Sequence, residues 1–182
     1  GTPTAWKKIT ATAVLNGGSS SANLAAIQIK NCHYIILDGI TVEGGYKHGI
    51  DIDAASDNIR IQNCDISKFG RTPHYQDATG VFCDVNKSKI NHDAGINMSS
   101  PHNVVIERCY IHDPNGYTNP WNGIMQLPST SGQTENWIGI KRYTQTHPQG
   151  PSAIYFTQAR GGLVIRHNDL LGSQTQRYND VV

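Results

Sequence analysis

No stretch of this 182-residue chain is apolar for long enough to cross a membrane as a helix, which takes about 20 apolar residues, and no membrane partner is expected. Charge is also scarce. Charged residues make up 16% of the chain and the formal net charge is +1, with no basic stripe to follow a phosphate backbone, so nucleic acid is not expected as a partner. The cysteines number four, Cys32, Cys64, Cys83 and Cys109, with no CxxC and no zinc-like spacing. The histidines show no ligand spacing either, so no metal site is read from His. No secretory leader pattern precedes Gly1-Thr2-Pro3. What is plentiful is glycine, 18 residues of it, with many Asn and Ser, which fits a turn-rich all-β chain.

The order behind this composition is a repeat. Ile35, Leu37, Gly39, Ile40 and Val42 align without a gap on Ile59, Ile61, Asn63, Cys64 and Ile66. The same frame returns as Val104, Ile106, Arg108, Cys109 and Ile111, then as Leu163, Ile165, His167, Asn168 and Leu170. A shorter strand precedes each copy: Ile27/Ile29, Ile50/Ile52, Ile96/Met98 and Ile154/Phe156. Aliphatic residues alternate within each strand, so each buries one face. The best-preserved step, Ile27 to Ile50, is 23 residues, too short for a helix between strands. Successive units must then stack strand on strand, parallel and in register, with aliphatic columns running down the axis.

Segments such as Asn31-Cys32-His33-Tyr34-Ile35-Ile36-Leu37-Asp38-Gly39-Ile40 and Asn58-Ile59-Arg60-Ile61-Gln62-Asn63-Cys64 carry this pattern. From about Leu24 onward the chain resembles the right-handed parallel β-helix superfamily, whose members include pectate-lyase-like polysaccharide lyases and several glycoside hydrolases. The resemblance implies an all-β fold, a right-handed parallel β-helix spanning residues 24–182, with residues 1–23 as an N-terminal edge segment. It also implies a secreted, extracellular protein acting on polysaccharide. Val181 lies 27 residues beyond Ile154, where the next short strand is due, so the sequence stops one step into a coil and a longer chain or a second chain is expected to complete the solenoid.

The step lengthens to 46 residues from Ile50 to Ile96 and to 58 from Ile96 to Ile154. The extra residues fall at about 67–93 and 112–152, each after the long strand of its repeat. Equivalent positions of a solenoid project from one side, so these insertions are expected to rise together and wall a groove. An alternative is that they hold irregular coils, with Val81-Phe82-Cys83-Asp84-Val85 as one strand and Gly123-Ile124-Met125 and Trp137-Ile138-Gly139-Ile140 as others.

The insertions hold the aromatic and titratable groups that suit a glycan. Trp and Tyr stack on sugar faces, while Asp, His and Arg bond hydroxyls or carboxylates. Arg71, His74, Tyr75, Trp121, Trp137, Tyr143 and His147 are the candidate substrate-binding residues. A lyase needs a base and a cation beside a uronate carboxylate, for which Lys141, Arg142 and the loop histidines are suitable, with Ca²⁺ held by Asp as a candidate charge neutraliser. A hydrolase needs two carboxyl groups. Asp51 and Asp53 alternate on one strand and project from the same outer face about 7 Å apart, within the range for inversion. His48 lies before Gly49, and His92 and Asp93 lie before Gly95, giving an expected polar column at the groove floor. For Asp51 and Asp53 the competing reading is solvated surface, and for the histidines it is turn structure. Cys64 and Cys109 share one repeat position, read as small buried side chains or as a disulfide between coils. A non-catalytic β-helix, an adhesin, filament component or glycan-binding scaffold, is the alternative function class.

Overall fold

Each segment in which aliphatic and polar residues alternate forms a strand, and in the computed structural model every regular element among the described residues is one. The structure describes residues 1–71, 84, 86, 90, 92–115 and 151–171, together with the backbone of four short strands at 75–76, 82–83, 135–137 and 140–142.

Three parallel sheets run the length of the solenoid. The entry sheet stacks Ala25–Ile29, His48–Ile52, Ala94–Ser99 and Ser152–Thr157. The middle sheet stacks Lys7–Ile9, His33–Asp38, Asp57–Gln62, Val104–Glu107 and Val164–Arg166. The exit sheet stacks Leu15–Gly18, Thr41–Gly44, Asp65–Ser67, Tyr110–His112 and Asp169–Leu171. One strand from each sheet makes a coil. The segment before Leu24 therefore supplies two strands in register with the first full coil, Lys7 opposite Ile35 and Leu15 opposite Val42.

Register follows the aliphatic frame residue for residue. Ile27, Ile50, Ile96 and Ile154 form one column, Leu37, Ile61, Ile106 and Ile165 another, and Val42, Ile66, Ile111 and Leu170 a third. Ile50, Ile61, Ile66, Ile96, Ile106 and Ile111 are wholly buried. The core is thus a set of stacked β-branched residues, which suit a pleated, buried surface.

The frame from Ile35 to Val42, read from sequence as one long strand, is broken into two by a corner. Gly39, Asn63, Arg108 and His167 occupy equivalent positions and all take left-handed backbone, with φ of 65°, 54°, 53° and 54°. A single residue in that conformation redirects the chain from middle to exit sheet. Glycine and asparagine adopt it at low cost, while Arg108 and His167 are held there by the ladder on either side. Beside the entry strands, glycine answers a different need. A Cβ on Gly95 would lie 2.5 Å from Ile111 Cγ2 and 2.7 Å from the Ala153 carbonyl oxygen, so the small residues ahead of Ile50 and Ile96 let adjacent sheets close.

The insertions do not add coils to the stack. His48–Ile52 pairs directly with Ala94–Ser99, and Ala94–Ser99 directly with Ser152–Thr157. Phe82–Cys83 pairs antiparallel with Tyr75–Gln76, and Glu135–Trp137 antiparallel with Ile140–Arg142, outside the three sheets. Of the rungs considered from sequence, Phe82 and Cys83, and Trp137 and Ile140, belong to these antiparallel pairs instead, while Val81, Val85, Ile138 and Gly139 lie outside the described residues. Gly123-Ile124-Met125 lies outside the described residues.

Ile106 sits at 0% exposure in the middle of its column. Ile106→Ala is expected to lower unfolding free energy by about 2–5 kcal/mol, read from urea denaturation midpoints.

Candidate functional site

Both insertions leave the solenoid at one corner. The exit strands end at Ser67 and His112, which are register partners, and the next residues, Lys68 and Asp113, share left-handed backbone with φ of 57° and 45°. Both insertions return to the entry sheet, at Ala94 and Ser152, which are again register partners. The outer face of the entry sheet is therefore the surface beside them.

Down that face runs a polar ladder, Gln28, Asp51, Asn97 and Tyr155, one residue per coil. The Asn97 amide donates to Asp51 Oδ1 at 2.7 Å, which orients both side chains along the axis. At the last rung the end of the first insertion folds over the sheet. The exposed His92 ring stacks on Tyr155 with centroids 4.8 Å apart and planes 19° from parallel. Amide, carboxylate and planar ring thus follow one another along the solenoid.

Asp53, two residues past Asp51, is engaged by its own turn and by the turn of the coil before. Its carboxylate accepts from the Asn31 amide at 3.1 Å, the Ala55 amide at 3.2 Å and the Ser56 hydroxyl at 2.7 Å. Desolvation pushes its pKa up, but the Ser56 hydroxyl and the backbone amides outweigh it and hold the carboxyl below the usual range. A carboxylate committed to two backbone amides and a hydroxyl and held ionised fits turn capping better than proton transfer.

Arg71, expected to meet substrate, is turned inward. It is 5% exposed, and its guanidinium grips Asp93 through Nε and Nη2 at 2.9 and 2.7 Å and Asp84 through Nη1 at 2.9 Å. The Arg71 amide adds a bond to Asp93 Oδ2 at 2.9 Å, and the Tyr46 hydroxyl donates to Asp84 at 3.3 Å. Burial pushes the Asp93 carboxyl up, and Arg71 pulls it back. Two-point contact from the guanidinium fork favours the carboxylate form. This hub ties the start of the insertion to its end, and Asp93, expected in the groove floor, is wholly buried within it.

His48 is also turned inward, which breaks the polar column expected from sequence. Its register partners are Ala25 and Ala94, and its Nδ1 accepts the Ala94 amide at 3.2 Å. His48 is therefore neutral and protonated on Nε2. His92 lies on the outer side instead. Of the remaining candidates, Tyr75, Trp137, Lys141 and Arg142 belong to the short antiparallel pairs, and His74, Trp121, Tyr143 and His147 lie outside the described residues. For Ca²⁺, no group of three or more His, Cys, Asp or Glu among the described residues is arranged to hold a metal ion.

A second cluster, not anticipated from sequence, lies on the outer face of the exit sheet. His112 Nε2 meets Asp65 Oδ1 at 2.9 Å and its Nδ1 meets Asp113 Oδ2 at 2.8 Å, while the ring stacks on Tyr110 at 3.9 Å. Period-two alternation puts Tyr110 and His112 on one face, but pairing with Asp65 comes only from register.

With this geometry in view, the chain compares with one known family. Residues 16–125 match the model for the right-handed β-helix region, which covers more than half of the chain, and the chain belongs to that family. No curated protein and no solved structure shows a significant match.

Burial lowers the His48 imidazole from 6.5 to about 4, helped by Lys47 and Arg71 and opposed by Asp51. Between those values the unfolded chain binds a proton that the folded chain does not, so this residue's contribution to stability falls as pH drops from about 6.5 to about 4. The full effect is about 3 kcal/mol. His48→Gln is expected to flatten that slope, seen by comparing wild-type and variant urea midpoints at several pH values across the window.

Proposed function

We propose that this chain is an extracellular polysaccharide-binding β-helix protein that cleaves its glycan, as a lyase or a glycoside hydrolase, on the outer face of the entry sheet. The observation that carries this reading is the shared departure and return of both insertions beside the ladder of Gln28, Asp51, Asn97 and Tyr155. A rung-by-rung row of hydrogen-bonding groups matches a polymer whose hydroxyls recur along its length. The stacked Tyr155 and His92 rings offer a planar surface for an apolar sugar face.

Asp51 is the carboxylate on this face that turn capping leaves available for chemistry, with Asn97 fixing its orientation. It would act as the acid or base of the reaction. Lys141, Arg142, Trp137 and Tyr75 on the insertions are proposed as the second wall, with His74, Trp121, Tyr143 and His147. A glycan-binding scaffold without catalysis is the second reading. Its support is the structural use of Asp53, Arg71 and Asp93, which removes three expected participants from the reacting surface.

A panel of plant, algal and bacterial polysaccharides tests both. Reducing-end release with ultraviolet absorbance of an unsaturated product identifies elimination, and release without it identifies hydrolysis. Asp51→Asn is expected to lower turnover by about 100-fold or more, with affinity little changed. Tyr155→Ala is expected to weaken affinity by roughly 2- to 10-fold. Retained affinity with no product from any polymer supports the scaffold, and no affinity for any polymer overturns both readings.

A further inference from the structure

Cys64 and Cys109 stand directly over one another. Their neighbours Asp65 and Tyr110 are register partners, as are Gln62 and Glu107, and the Tyr110 amide donates to the Cys64 carbonyl at 2.8 Å. Both follow a left-handed corner residue, Asn63 or Arg108, so their side chains leave the backbone in the same direction. Each is 2% exposed and each is a free thiol. The two thiols act on one another: Cys109 lowers the Cys64 thiol, and Cys64 together with burial raises that of Cys109. Adjacent in-register strands are about 4.8 Å apart, within the Cα separation a disulfide spans. Cys32 has a different place: its amide donates to the Ser56 hydroxyl at 3.1 Å, away from this column.

We infer that Cys64 and Cys109 are a cross-coil dithiol that closes into a disulfide when the chain folds in the presence of a small-molecule disulfide such as oxidised glutathione. One cysteine thiolate attacks that disulfide, forms a mixed disulfide and releases one thiol. The other thiolate attacks the cysteine sulfur of the mixed species, forming the Sγ–Sγ bond and releasing the second thiol. The two cysteines lose two electrons in total, and their two protons end on the released thiols. Because both sulfurs are sealed in the folded coil, exchange happens before the two rungs close or during their opening. The bond joins the rungs on either side of the first insertion, so it fixes the two ladder positions Asp51 and Asn97 relative to each other without touching either. This inference stands independently of the glycan reading.

The test is refolding of the full chain from urea in a glutathione redox buffer, followed by alkylation and peptide mapping without reduction. The expected product is one cross-link joining the peptides that contain Cys64 and Cys109, with Cys32 and Cys83 alkylated. The oxidised chain is expected to melt roughly 5–15 °C above the reduced one, a gap that Cys109→Ser abolishes. If that variant fails to fold, mapping of the wild-type chain decides alone. Alkylation of both Cys64 and Cys109 after oxidative refolding, or a cross-link from either to Cys32 or Cys83, overturns the inference.

Discussion

Everything in this molecule depends on the hydrogen bonds that run between coils rather than within them. A strand of three to six residues cannot satisfy its own backbone, and each depends on the rungs above and below for amide and carbonyl partners. In-register pairing carries a second effect, since it sets like side chain over like. Isoleucine columns, a Cys64 and Cys109 step and the outward ladder from Gln28 to Tyr155 all follow from the same constraint.

The aliphatic part of that constraint was legible in the sequence because periodicity of two, repeated at a fixed step, admits few other arrangements. Ile35 over Ile59 and Ile61 over Ile106 can be written down from the repeat alone. The corner at Gly39, Asn63, Arg108 and His167 was harder to see. Two of those residues are ordinary turn formers, but an arginine and a histidine in left-handed backbone carry no local signal, and only alignment with the glycine marks the position. The Lys7–Ile9 and Leu15–Gly18 strands are short and exposed, with too few alternating residues to show a period.

Charged and titratable residues were legible as types but not as roles. Arg71 and Asp93 are 22 residues apart in sequence, and nothing local distinguishes a guanidinium that faces solvent from one that closes a loop. Their pairing follows only from an insertion that starts and finishes beside itself. His48 shows the same limit. Register puts it opposite Ala94, an inward position, whereas His92 lies two residues earlier, before the strand begins, and is exposed. Asp53 likewise reads as equivalent to Asp51, but the Ala55 amide of its own turn and the Asn31 amide of the coil before engage it.

The hub formed by Arg71, Asp84 and Asp93 has an architectural consequence. By pinching the two ends of the first insertion together beneath the surface, with Asp84 from between them in the same grip, it anchors the excursion to the solenoid at its base. Length and composition beyond that grip can then vary while the rungs on either side keep their registration. Chains built this way can exchange the excursion alone and leave the spine that carries it unaltered.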